Sequence, residues 1–312
     1  MDIKTVLCPV DVRRATDQEL QFATSVCRHF GAKLILQCNL ETAPPSSLGM
    51  NWMYAEEHRD QGKQDEAAAE LKLKDCFSKL PPGITVEGKI THASRDVAII
   101  ALSKECSCDL IVMLRHNLAD ADLLSVAERV LAESPCPVLI VQPNPTEGGF
   151  PGSITNQPVI VPVDFTQHSM RTLDYAFGLA RHFPITLQLV HMEHPAGWKD
   201  LRVMAFRRQD ERERQLVECK DRLLGMIPAD LKERVRVHLR GGAAVEGILR
   251  SIQELQADLV VMGAHPKGFF KKAITGSTAC EILRRSPCPV WFVPSTGGVS
   301  SWKEEPLAAA GA

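Results

Sequence analysis

The second half of this chain repeats the first. Pro9-Val10-Asp11 returns as Pro162-Val163-Asp164, and at the same offset Leu20, Ala23, Arg28-His29-Phe30, Leu34 and Leu36 return as Leu173, Ala176, Arg181-His182-Phe183, Leu187 and Leu189. Further on, Asp109-Leu-Ile-Val-Met113 matches Asp258-Leu-Val-Val-Met262, and Ser134-Pro-Cys-Pro-Val138 matches Ser286-Pro-Cys-Pro-Val290. A period this long means two whole domains rather than a solenoid, and the 312 residues are about what two domains need.

Each copy alternates short apolar runs with amphipathic stretches. In the second copy strands are expected near 158–163, 185–191, 234–239, 258–262 and 289–293, and in the first near 3–10, 33–38, 84–90, 109–113 and 137–141. Between them Leu173, Ala176, Ala180 and Phe183 form one helical face. Leu216, Val217, Leu223, Leu224 and Ile227 form a second, and Val245, Ile248, Leu249, Ile252 and Leu255 a third. Alternating β and α with near-continuous apolar strands implies α/β architecture: two repeated doubly wound, Rossmann-like units, each an open parallel five-stranded sheet covered on both faces. The domain division is then 1–142, a linker at 143–153, 154–295, and a frayed tail at 296–312. The proline-rich stretch 41–56 reads as a mobile loop before a helix ending near Leu80.

The chemistry concentrates after the fourth strand of the second copy. Met262-Gly263-Ala264-His265-Pro266-Lys267-Gly268 leads through Lys271 and Lys272 to Gly276-Ser277-Thr278, which opens the next helix. Glycines at 263 and 276 allow positive φ and a close backbone approach. Unpaired N–H groups of a helix starting at Ser277 favour phosphate oxygens, and three lysines add charge. An ordinary strand-to-helix loop with a serine N-cap and solvated lysines has the same spacing.

The wording resembles the nucleotide loop of the universal stress proteins: glycine, two residues, a third position, nine residues, then Gly-Ser. Gly263, Pro266, Gly276 and Ser277 fall on that spacing, and the flanking Ala-Asp-Leu-Val-Val-Met-Gly and Ser-Pro-Cys-Pro-Val are similar to the same family. The resemblance implies ATP or a related adenine nucleotide, with Mg2+ as its companion ion. It places Val163 and Asp164, with Pro162 before them, and Met192 at the nucleoside, and Gly263, Gly276 and Ser277 at the phosphates; by position, Lys267 adds a cation within the loop, Thr278 follows at the helix start, and His265, inside the loop, is expected at the pocket mouth. It also implies a stress-response regulator rather than an enzyme, with any hydrolysis slow and incidental. The family usually has glycine where this chain has Pro266. Proline removes one backbone donor and fixes φ near about −65°. Losing one charge-assisted contact weakens a nucleotide by about tenfold to a hundredfold. The competing reading is a protein-interaction module whose phosphate loop is lost through Pro266. For Asp164 the plain alternative is a turn or cap residue at the first helix.

In the first copy Leu114 stands in place of Gly263, the loop is three residues shorter, Leu124-Ser125 replaces Gly276-Ser277, and Asp120 and Asp122 stand where lysines should be. That copy is expected not to hold a triphosphate and to serve as a structural or partner-binding unit. Family members pair through the last strand of the unit. The resemblance therefore implies an intramolecular pseudo-dimer with Val138–Val141 beside Val290–Val293, and a homodimer as a further mode.

Charge and cysteines bound the rest. With 36 Lys and Arg against 38 Asp and Glu, the net charge of −2 gives no nucleic-acid footprint. No apolar run approaches the roughly 18 residues of a membrane span. The N-terminal segment runs straight into a strand without a signal-peptide pattern, so a cytoplasmic location is expected. Most of the ten cysteines sit at core positions and read as reduced. Cys106-Ser-Cys108 lacks the usual two-residue spacer, and His191 and His194 flank a strand end before Pro195, so neither pair reads as a metal site.

Overall fold

The computed structural model describes residues 2–12, 17–40, 52–115, 121–142, 158–193, 207–264 and 278–294. The first unit runs β1 (Thr5–Val10), α1 (Asp17–Phe30), β2 (Lys33–Leu40), α2 (Trp52–Lys79), β3 (Val86–His92), α3 (Arg95–Glu105), β4 (Leu110–Leu114), α4 (Ala121–Glu133) and β5 (Val138–Val141). The second repeats the series as β6 (Pro158–Pro162), α5 (Gln167–His182), β7 (Thr186–Glu193), α6 (Arg207–Gly225), β8 (Val235–Gly241), α7 (Ala244–Glu254), β9 (Leu259–Ala264), α8 (Thr278–Arg285) and β10 (Val290–Pro294), with a 3₁₀ turn at Ala229–Arg234 before β8.

All ten strands form one sheet in the order β3-β2-β1-β4-β5-β10-β9-β6-β7-β8. Within each unit the pairings are parallel, because the amphipathic helices return the chain to the same edge. Only β5 and β10 run antiparallel, with Val290 opposite Ile140, Trp291 opposite Leu139 and Phe292 opposite Val138. The edge strand of each unit thus covers that of the other, as expected, and neither apolar edge is exposed. The four-residue β5, Val-Leu-Ile-Val, is buried throughout, which fits a strand covered on both faces and both edges.

Helices α1, α2, α5 and α6 pack on one face of the sheet, around Leu34, Leu36, Leu187, Leu189 and Trp291. Helices α3, α4, α7 and α8 pack on the other, around Ile111, Ile140, Ile160, Val260 and Phe292. Each core runs through both units without a break. Trp291 and Phe292 are 1% and 0% exposed, so the junction is as dry as the interior of either unit.

The repeated Arg-His-Phe motif has a structural reason. The two copies end α1 and α5 beside each other: the His29 ring stacks on Phe183 at 4.1 Å, and Phe30 meets His182 at 5.4 Å. These two contacts are the same pair exchanged between units, as a pseudo-two-fold axis requires.

Three expectations need correction. Residues 52–56, read as loop, lie in α2, while 41–51 fall outside the described residues. On α6 the inner face is Leu216, Cys219 and Leu223, whereas Val217 is 58% and Leu224 45% exposed. Ile227, assigned to that helix, is buried but lies beyond its end at Gly225. The linker and the tail fall outside the described residues; Gln142, the last residue of the first unit, donates its amide Nε2 to the Cys288 carbonyl across the junction at 3.0 Å.

Candidate functional site

Open parallel sheets bind ligands beyond the carboxyl ends of their strands, where neighbouring strands send their connections to opposite faces. In the second unit that point lies between β6 and β9, whose helices α5 and α8 belong to opposite cores. A cavity of about 440 Å³ opens there. The cavity is lined by Pro162, Val163 and Asp164 from the end of β6, Met192 from β7, Gly263 from β9 and Thr278 at the start of α8. Those six positions were expected at the site, and the fold brings them together. His265, Lys267, Gly276 and Ser277, like Pro266, Lys271 and Lys272, fall outside the described residues.

Gly263 is explained differently from the sequence expectation. It lies inside β9, paired with Val293, and its backbone is not left-handed. Its small size is what matters. A Cβ there would come to 3.1 Å from Thr172 Oγ1 on α5, whose hydroxyl donates to the His168 carbonyl at 3.0 Å. Glycine lets α5 approach the strand end and keeps that wall of the cavity flat.

Gly247 on α7 was missed and acts in the same way. A Cβ added there would lie 2.0 Å from Cε and 2.4 Å from Sδ of Met192. The Met192 side chain thus lies directly on a helix turn made bare by glycine. In the first unit the corresponding positions carry Ala98 and Asn39, a substitution at both that the copy-to-copy comparison would have exposed.

Asp164 is held by its own turn. Its Oδ1 accepts from the Thr166 amide at 3.0 Å and from the Thr166 hydroxyl at 2.6 Å. Thr166 in turn caps α5, accepting the Ser169 amide at 3.2 Å. Partial burial works to raise the Asp164 pKa, but hydrogen bonds from Thr166 and Ser169 outweigh it and hold the carboxyl below its ordinary value. Phe165, between them, has φ of +59°, a left-handed conformation costly for a large side chain. Its ring lies against His191 at 4.9 Å and under the Arg222 guanidinium at 4.2 Å, and His191 Nδ1 sits 2.7 Å from the Val163 carbonyl. The carboxylate is therefore fixed at the rim, and the turn-residue role is real. His168 lines the same cavity.

The first unit differs at the same point. Its cavity is about 70 Å³, with Leu114 where Gly263 stands. The loop there is shorter than expected: α4 begins at Ala121 and takes in Leu124-Ser125, leaving six residues between β4 and α4, against thirteen between β9 and α8. Polar bonds also tie the strand ends together. Arg95 donates to Asp11 at 3.2 Å, Gln37 Nε2 donates to Thr91 Oγ1 at 3.0 Å, and that hydroxyl donates to Asn39 Oδ1 at 2.9 Å.

Arg115, just past β4, leaves its own unit. Its Nη1 donates to the carbonyls of Leu283, Arg284 and Ser286 at 3.3, 3.0 and 2.9 Å, capping the carboxyl end of α8. Arg284 returns the contact, meeting Glu128 of α4 at 2.7 Å. A cation at a helix carboxyl terminus is favoured by the aligned peptide dipoles as well as by the bonds themselves. The helix whose amino end borders the larger cavity is thus anchored by the other unit.

All ten cysteines are free; Cys106 is half-buried and Cys108 buried. Burial pushes the thiols of Cys8, Cys108 and Cys136 up, away from the thiolate needed for redox or metal chemistry. Among the described residues no cluster of three His, Cys, Asp or Glu side chains is placed to hold a metal.

The sequence profile described as the universal stress protein family matches residues 2–142 and again 155–294. The chain belongs to the universal stress protein family. A universal stress protein of Mycobacterium tuberculosis strain H37Rv is 38% identical over 61 residues, a match spanning 19% of this chain and 21% of that relative. Among solved structures, a universal stress protein from Archaeoglobus fulgidus superposes with a TM-score of 0.62 at 22% identity, covering 94% of this chain and 97% of its own. A functionally unknown protein from Pseudomonas aeruginosa gives 0.61 at 17% identity, over 94% and 92%. At these identities the superpositions establish the tandem fold alone.

Proposed function

We propose that this protein is a stress-response regulator that binds ATP or a related adenine nucleotide, with Mg2+, in its C-terminal unit. Residues 1–142 act as a structural or partner-binding copy, 143–153 as the linker, 154–295 as the binding unit and 296–312 as a tail. The observation that carries this reading is the contrast between two cavities at one topological position: about 440 Å³ beside Gly263, against about 70 Å³ beside Leu114. The larger lies within the range of small-ligand sites, and its lining suits a nucleoside: apolar walls from Val163, Met192, Ile248 and Met262, with a fixed carboxylate at the rim. Thr278 and Ala279 at the start of α8 bring helix N–H groups to one side, where phosphate would be favoured. His265, Lys267, Gly276 and Ser277 would complete that half of the site. We read the site as regulatory rather than catalytic. No helix among the described residues is long and apolar enough to cross a membrane, and we place the protein in the cytoplasm.

Titration calorimetry of the full chain with ATP and magnesium tests the reading, with Pro266→Gly beside it. Heat from the natural chain, tightened about tenfold to a hundredfold in the variant, is the expected result. Binding in the variant alone would mean that Pro266 has turned the loop over to a protein partner, which is the second reading. No binding in either would remove the nucleotide altogether.

A further inference from the structure

The two copies part company at the end of the fourth strand. The second unit has Gly263 and Ala264 there, two small residues, and Gly263 lines the larger cavity. The first unit has Leu114 and Arg115, two large ones, and the arginine crosses to the other unit. No such contact can run the other way from the matching position, since the Ala264 side chain carries no donor with which to cap α4.

Arg115 stands on a firm mount. Its backbone N–H donates to the Val141 carbonyl at 2.6 Å, which ties it to the end of β5, the strand that pairs with β10. From there the half-buried guanidinium reaches the carbonyls of Leu283, Arg284 and Ser286, charge-assisted bonds in a place partly shielded from water. The Ser286 amide serves the Ile282 carbonyl at 2.9 Å, so most of what the carboxyl end of α8 leaves open is answered, largely by one side chain of the other unit.

We infer that Arg115 is a positioning residue for the C-terminal site, and that the first unit sets the affinity of that site through the carboxyl end of α8. The helix is short, its eight residues spanning about 12 Å, and Ile282 and Leu283 are both 0% exposed, so it moves as one packed piece. Thr278 and Ala279 at its amino end line the larger cavity. A shift at the capped end is therefore carried to the cavity wall. Charge acts in the same sense, because a cation at the carboxyl end and an anion at the amino end favour the same alignment of peptide dipoles. The inference rests on the nucleotide reading of the larger cavity, and it gives the unit expected to hold no nucleotide a part in how its neighbour binds one.

Calorimetric titration of ATP and magnesium into the full chain tests it, with the natural protein set beside Arg115→Ala, Arg115→Lys and Val26→Ala. Val26 is 1% exposed on α1, on the opposite face of the sheet, so its truncation loosens the fold without touching α8. At a temperature where urea denaturation shows every variant folded, Arg115→Ala should weaken ATP by about threefold to thirtyfold. Arg115→Lys should recover part of that loss, and Val26→Ala should leave the affinity unchanged. In the ligand-free protein the amide NMR signals of Thr278 and Ala279 should shift in Arg115→Ala. The inference alone is overturned if the natural protein binds ATP and Arg115→Ala binds it equally well. It is overturned too if Val26→Ala weakens ATP as much, which would assign the effect to lost stability. A natural protein that binds no ATP removes the nucleotide reading and this inference together.

Discussion

Glu19 makes the stability of this protein fall as pH rises through the neutral range. Burial pushes its carboxyl from an ordinary 4.5 up to about 7, against the opposing pull of a backbone hydrogen bond and Lys72. Asp17 and Asp11 add to the rise. Below pH 4.5 the carboxyl is protonated in both folded and unfolded chains and contributes no pH dependence. Between 4.5 and 7 the folded chain holds a proton that the unfolded chain has released, so each pH unit favours unfolding by about 1.4 kcal/mol. Above 7 the loss is complete, at about 3 kcal/mol, without discount for solvent because the residue is 3% exposed. Glu19→Gln keeps the shape and removes the titration. In urea denaturation at pH 5 and pH 8, the variant should gain about 2–3 kcal/mol on the natural protein between the two conditions. A difference that stays constant within about 0.5 kcal/mol across that range would refute the assignment, since the other ionisable groups are common to both proteins.

Three further outcomes follow from named contacts. Arg115→Ala should cost about 2–3 kcal/mol in urea denaturation and speed amide exchange at the carboxyl end of α8, with Arg115→Lys recovering part of both. Gly263→Leu writes the first unit's residue into the second. With a Cβ 3.1 Å from Thr172 Oγ1 and a side chain at the cavity wall, it should fold at a cost of about 1–3 kcal/mol and lose adenine nucleotide binding by calorimetry. Gly247→Ala must displace Met192, whose Cε lies 2.0 Å from the new carbon, and should change nucleotide affinity about tenfold while leaving thermal stability nearly unchanged.

Much of the architecture was legible because each strand is a short apolar run between breakers. The antiparallel meeting of Val138–Val141 with Val290–Val293 could be anticipated from family likeness joined to the need to cover an edge. Helix faces were less legible. Val217 and Leu224 are exposed where periodicity put them inside, because α6 packs only a narrow stripe against β8, near the sheet's far edge. At the site, sequence spacing picked out the strand-end residues. It misassigned the reason for Gly263, since the same letter serves positive φ and close packing and only coordinates separate them. Arg115 and Gly247 escaped because their partners lie far off in sequence, at Ser286 and Met192. Both stand where the two copies differ, and reading the repeat for its mismatches would have found them.

Equilibrium dialysis of the purified full chain against radiolabelled ATP and magnesium, with methyl NMR to locate the ligand, bears most directly on the asymmetry between the units. One nucleotide per chain, shifting Met192 and Met262 and leaving Met113 unmoved, is the predicted result. Two nucleotides per chain, or one that shifts Met113 instead, would contradict it.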